Sequence, residues 1–81
     1  MRIPRDISGY ELTNALVKLG YSKEKQVGSH IKLTTMQNGE HHVTIPNHSP
    51  IKIGTLNNIF KDVSEHFEIS KENLVEKLFY I

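Results

Sequence analysis

The chain contains no cysteine. That excludes a disulfide framework and a thiolate site, and it removes any need for an oxidising compartment. There is no long apolar run, and no basic segment followed by an apolar one. Neither a membrane span nor a secretion signal is therefore read, and the cytoplasm is the expected location. No linker, internal repeat or low-complexity stretch interrupts the 81 residues, which read as one small domain (residues 1–81) with a modest core. Neither sign of charge dominates, since the net charge is only +1. The charge is unevenly spread, however. Residues 1–54 carry seven Lys/Arg against four acids, and residues 55–81 carry three Lys against five. The basic surplus suits a polyanionic partner, although a solvated mixed surface has the same composition.

What is present divides into helix and strand patterns. Ser8-Gly9-Tyr10-Glu11 has the form of a capping box, in which each end residue satisfies a backbone amide of the other. Ile7 and Leu12 flank it as a hydrophobic staple. Leu12, Ala15, Leu16 and Leu19 follow at helical spacing, and Gly20 supplies the stop, which predicts a helix over about residues 9–19. Residues 21–27 read as a short strand with poor alternation. Residues 29–36 and 40–46 alternate well, and Asn38-Gly39 between them marks a hairpin, because both residues tolerate positive φ. Ile31, Leu33, Val43 and Ile45 then share a core face. His30, Lys32, Thr34, His42 and Thr44 share an open one. Pro46 and Pro50 bracket a loop with Asn47, His48 and Ser49. Thr55 is the expected N-cap of a second helix with an apolar stripe of Leu56, Ile59, Phe60 and Val63. Ser70 caps a short last helix with Leu74, Val75, Leu78 and Phe79 inward. The expected fold is α+β: a three-stranded antiparallel sheet with helices on its apolar face and the other face free for a ligand.

His30 leads the chemistry. An imidazole exchanges protons near neutral pH, and RNA brings its own nucleophile in the 2′-hydroxyl. Gly28 lets a phosphate approach the backbone, Ser29 can donate to it, and Lys32, on the same strand face as His30, can offset its charge. His41 and His42 are adjacent in a strand and point to opposite faces. No cysteine or convincing carboxylate completes a ligand set, so no metal or cofactor is expected. His48 reads as a second proton-transfer group, as a phosphate contact, or as a loop residue that fixes the turn. Lys23, Lys25, Lys32 and Lys52 are candidate phosphate contacts. Tyr10 and Tyr21 are candidates for stacking on a base, with Tyr10 otherwise helix surface and Tyr21 partial core.

Taken in order, Gly20-Tyr21, Gly28-Ser29-His30, a strand, Asn38-Gly39, Ile45-Pro46-Asn47-His48 and Gly54-Thr55-Leu56-Asn57-Asn58-Ile59 resemble the HicA-type toxins of bacterial and archaeal toxin–antitoxin systems. The resemblance runs over roughly residues 8–67. It implies a fold like that of the double-stranded-RNA-binding domain, α-β-β-β-α, here with a short C-terminal helix added. It also implies an endoribonuclease (an mRNA interferase) that cuts messenger RNA and arrests growth. A HicB-type antitoxin would cover the cleavage face. The histidine of Gly-Ser-His, His30, would be catalytic. Gly28, Ser29, Lys32, Lys25 and His48 would contact substrate, with Pro46/His48 and Gly54-Thr55-Leu56 as supporting elements. Two positions depart from the pattern. Val27 stands where a basic or polar residue is common, and the acidic stretch from Asp62 to Glu76 is long. Two other functions fit the same residues: an RNA-binding module that does not cut, and a domain whose open strand face or edge pairs with another protein. Only Lys52 and Lys61 lie near the start of the second helix, which weighs against strong duplex binding.

Overall fold

In the computed structural model, which describes residues 5–80, the capping box at Ser8 is complete. The Ser8 hydroxyl accepts from the Glu11 amide at 3.0 Å, and the Glu11 carboxylate accepts from the Ser8 amide at 3.0 Å. Helix α1 runs over Gly9–Leu19, as the periodicity predicts, and Gly20 closes it with φ 125°. Both staple residues, Ile7 and Leu12, enter the core. Arg2, counted above in the basic surplus, lies outside the described residues.

Three antiparallel strands follow in the order β1 (Ser22–Val27), β2 (His30–Thr35) and β3 (His41–Pro46). Strict alternation divides β2 and β3 as expected. Ile31, Leu33, Val43 and Ile45 are buried, while His30, His42 and Thr44 are exposed. β1 has no buried residue, and its register shifts between Lys23 and Lys25. The chain between β2 and β3 is longer than a minimal hairpin. Each strand stops one residue short of its expected end, although Asn38 (φ 57°) and Gly39 (φ 98°) do adopt positive φ. The reason is tertiary. Thr35 Oγ1 donates to Gly20 O and accepts from the Gln37 amide, and the Asn38 side chain donates to His66 O at 2.7 Å.

Helices α2 (Ile53–Phe67) and α3 (Lys71–Phe79) complete the chain. The expectation of Thr55 as the N-cap of α2 is corrected. The N-cap is Lys52, with no side-chain hydrogen bond, and Thr55 lies within the helix. The buried Ile51 fixes the start instead. Its amide donates to Ile7 O at 2.8 Å, and the Lys52 carbonyl then accepts from Leu56. Ser70 caps α3 as expected, accepting from the Asn73 amide. All three helices feed one core with the sheet: Leu12 and Leu16, Leu56 and Phe60, Leu74 and Val75. Each such burial contributes roughly 1.5–3 kcal/mol. The expected α+β architecture is therefore the observed one, and the acidic stretch Asp62–Glu76 belongs to packed helices, with Val63, Leu74 and Val75 at its core side.

Candidate functional site

Gly28 and Ser29 form the turn between β1 and β2, with Val27 paired to His30 across it. Gly28 has φ 58°, which suits the first central position of a two-residue hairpin turn, and an L side chain there is strained. A Cβ at Gly28 would meet no atom within 4 Å, so its backbone faces open space. His30 is the first residue of β2 and pairs with Pro46 on β3. It is exposed, and its ring has no hydrogen-bond or ion-pair partner among the described residues.

Three separated chain segments meet at this end of the sheet. The Asn47 amide donates to Ser29 O at 2.6 Å, and the Gly9 amide donates to His48 O at 2.9 Å. Gly9 has to be a glycine: a Cβ there would overlap Pro46 O and come within 2.7 Å of Asn47 Cα. The first turn of α1, the end of β3 and the Gly-Ser turn are thereby locked together around His30. His48 is exposed, and its ring also lacks a partner among the described residues.

The candidate lysines are arranged less simply. Lys32 and Lys25 pair across β1 and β2, with Lys32 on the face of His30 as expected. Lys32 is not free, because its Nζ lies 3.4 Å from Glu24 Oε1. Both partners are well exposed, and such a pair contributes at most about 1 kcal/mol. Lys23 pairs with Leu33 on the other side of the irregularity and sits at the exposed edge, and Lys52 is exposed at the start of α2. Glu24 was not picked out from the sequence. Its reach to Lys32 depends on the strand irregularity between Lys23 and Lys25, which carries no local signature.

The opposite end of the sheet holds the other histidines, all engaged. His42, on the open face, lies 2.7 Å from Glu40 Oε2 through Nε2 and 2.8 Å from Thr34 Oγ1 through Nδ1. His41, on the helix side, accepts from the Tyr21 hydroxyl at 2.7 Å, and its Nε2 donates to Asp62 Oδ1 at 3.2 Å. The His66 ring stacks on His41, with centroids 4.3 Å apart and planes at 13°, and its Nε2 donates to Gln37 O. Tyr21, only 2% exposed, is full core rather than a stacking platform. Burial pushes its phenol above the usual range, and the Asp62 charge adds to the effect. Tyr10 is 69% exposed on α1, next to Gly9. No group of three or more His, Asp or Glu side chains converges as a metal site would among the described residues. No helix there is long and apolar enough to cross a membrane.

Fold and site together define a small α+β domain with one open, partly cationic sheet face and, at its rim, a histidine without a partner among the described residues. The family described as the HicA toxin of bacterial toxin–antitoxin systems matches residues 9–64, and the chain belongs to it. No curated protein and no solved structure matches.

Proposed function

We propose that this chain is the endoribonuclease toxin of a toxin–antitoxin pair, cutting messenger RNA in the cytoplasm with His30 as a proton-transfer group and without a metal. A HicB-type antitoxin would restrain it by covering the open sheet face. The observation that carries the reading is the position of His30. It is a solvent-facing imidazole, anchored by the β2–β3 ladder and two residues from a backbone with open space in front of it, in a chain of the HicA family. In such a reaction the 2′-oxygen attacks phosphorus and the 5′-oxygen leaves. The products are a 2′,3′-cyclic phosphate and a 5′-hydroxyl. Gly28 and Ser29 would receive the phosphate, while Lys25 and Lys32 would lower its charge.

The test mixes the purified chain with RNA in excess chelator, beside a His30→Ala variant. Cleavage by the native chain and none by the variant is expected. Equal cleavage by both removes His30 from the chemistry, and loss of native cleavage in chelator removes the metal-free part. Intact RNA with salt-dependent gel retardation would replace cutting by binding. Growth arrest on induction, relieved by co-expressing the antitoxin, is the cellular counterpart.

A further inference from the structure

Two of the five imidazoles, those of His30 and His48, have no partner among the described residues, and the sheet register brings this pair together. The assigned β2–β3 ladder ends at His30 and Pro46, but the hydrogen bonding continues. The bond from the Asn47 amide to Ser29 O is the next rung, and His48 follows it directly, beside the Gly28-Ser29 turn. The direction of the side chains follows from Asn47. Its Oδ1 lies 3.2 Å from where a Gly9 Cβ would be, so Asn47 points to the helix side. Alternation then turns His48 to the other side, the open face of His30 and Pro46. The His48 carbonyl, bonded to the Gly9 amide, points away from β2, as an extended residue in that register requires. Diagonal neighbours on one sheet face are about 7–8 Å apart. Gly28, in the turn beside them, has open space where a side chain would stand, and that leaves room for one phosphate.

We infer that His48 is the second proton-transfer group of the site, acting with His30 from the opposite side of one phosphodiester. The inference rests on the ribonuclease reading above. One imidazole, neutral, takes the proton of the 2′-hydroxyl as the 2′-oxygen–phosphorus bond forms. The other, as imidazolium, gives its proton to the 5′-oxygen as the phosphorus–oxygen bond breaks. One proton is taken and one given, so no co-reactant is needed. The other three histidines are unsuited to this role. His41 faces α2 and is bound to Asp62, His66 lies on α2 and is bound to Gln37 O, and His42 is bound to Glu40 and Thr34 at the far end of the sheet. The charged groups on the neighbouring segments are Lys25 and Lys32 with Glu24 on the sheet, Glu11 (tied to the Ser8 amide) in the first turn of α1, and Lys52 ahead of α2.

The experiment compares the native chain, His30→Ala, His48→Ala and His48→Gln on two substrates in chelator. One is an RNA dinucleotide. The other is a ribonucleoside 3′-(4-nitrophenyl phosphate), whose nitrophenolate leaves without being protonated. Thermal melts confirm that each variant is folded, and His48→Gln, of similar size and hydrogen-bonding capacity, covers a failure of the alanine form. Each single variant is expected to lose about 10²–10⁴-fold on the dinucleotide. Only one of the two positions, the acid's, is expected to recover on the activated ester. The native pH profile is bell-shaped, and each variant loses one limb. Dinucleotide cleavage by folded His48 variants at the native rate overturns the inference and leaves the ribonuclease reading standing. An equal response of both positions to the activated ester does the same. A native chain that cleaves neither substrate overturns both.

Discussion

At the β1–β2 turn end of the sheet, His30 and His48 stand exposed, their rings without partners among the described residues. At the other end His41, His42 and His66 are each bound through ring nitrogens, and two of them stack. The residue type is the same, and the surroundings decide what it does. An imidazole whose nitrogens are filled by Tyr21 and Asp62 serves as a structural link and has no lone pair or proton to spare. An imidazole held only by its backbone keeps both ring nitrogens available. The contrast separates the histidines that hold the fold together from those left available at the surface.

The strongest way to break the comparison is to remove one histidine from each end. His30→Ala is expected to lower RNA cleavage about 10²–10⁴-fold while shifting stability by no more than about 0.5 kcal/mol. His41→Ala is expected to do the reverse, costing about 1–3 kcal/mol in a denaturant melt and leaving cleavage per folded molecule intact. Equal effects at both ends would end the distinction. Next in size is Gly9→Ala, where the added methyl meets the backbone of Pro46 and Asn47. Overpacking of this kind costs about 1–3 kcal/mol, and cleavage should fall with it, because the same contact holds the turn beside His30. Retained activity at reduced stability would separate the helix contact from the site.

Tyr21→Phe probes the bound end more gently. Loss of one hydrogen bond to His41 costs about 1 kcal/mol near neutral pH. The pH dependence has a defined sign. Folding raises the Tyr21 phenol above its usual value of 10.0, so its contribution is fully present below that pH and is lost as the pH rises through and beyond it. Native stability should therefore decline above pH 10 more steeply than that of the phenylalanine variant, measured by melts at stepped alkaline pH. The smallest expected effect belongs to Glu24→Gln, which releases Lys32. RNA affinity should rise by less than about 1 kcal/mol, and the salt dependence of binding should steepen by about one unit of slope.

Local chemistry made α1 and the strand faces legible. Ser8 and Glu11 satisfy each other within one turn, and the alternation through Ile31, Leu33, Val43 and Ile45 leaves one way to bury the sheet. Thr55 misled because the start of α2 is set from outside the helix, by the bond between Ile51 and Ile7. The pairings of His41 with Asp62 and of Asn38 with His66 join residues far apart in sequence, and no spacing rule announces them. Gly28-Ser29-His30 was legible as a candidate site, with its chemistry open to test. The place of Asn47 and His48 was not legible, because the bond from Asn47 to Ser29 carries the ladder past a proline.

β1 remains, a strand in which every residue is exposed. It contributes no side chain to the core, so little beyond its ladder to β2 resists local opening. Its amides should exchange with solvent well before those of β3. The sheet thus has a detachable margin. The chain can fray from Ser22 to Val27 while the rungs joining Ser29 and His30 to Pro46 and Asn47 stay closed, and His30 keeps its place after the strand that leads into it has opened.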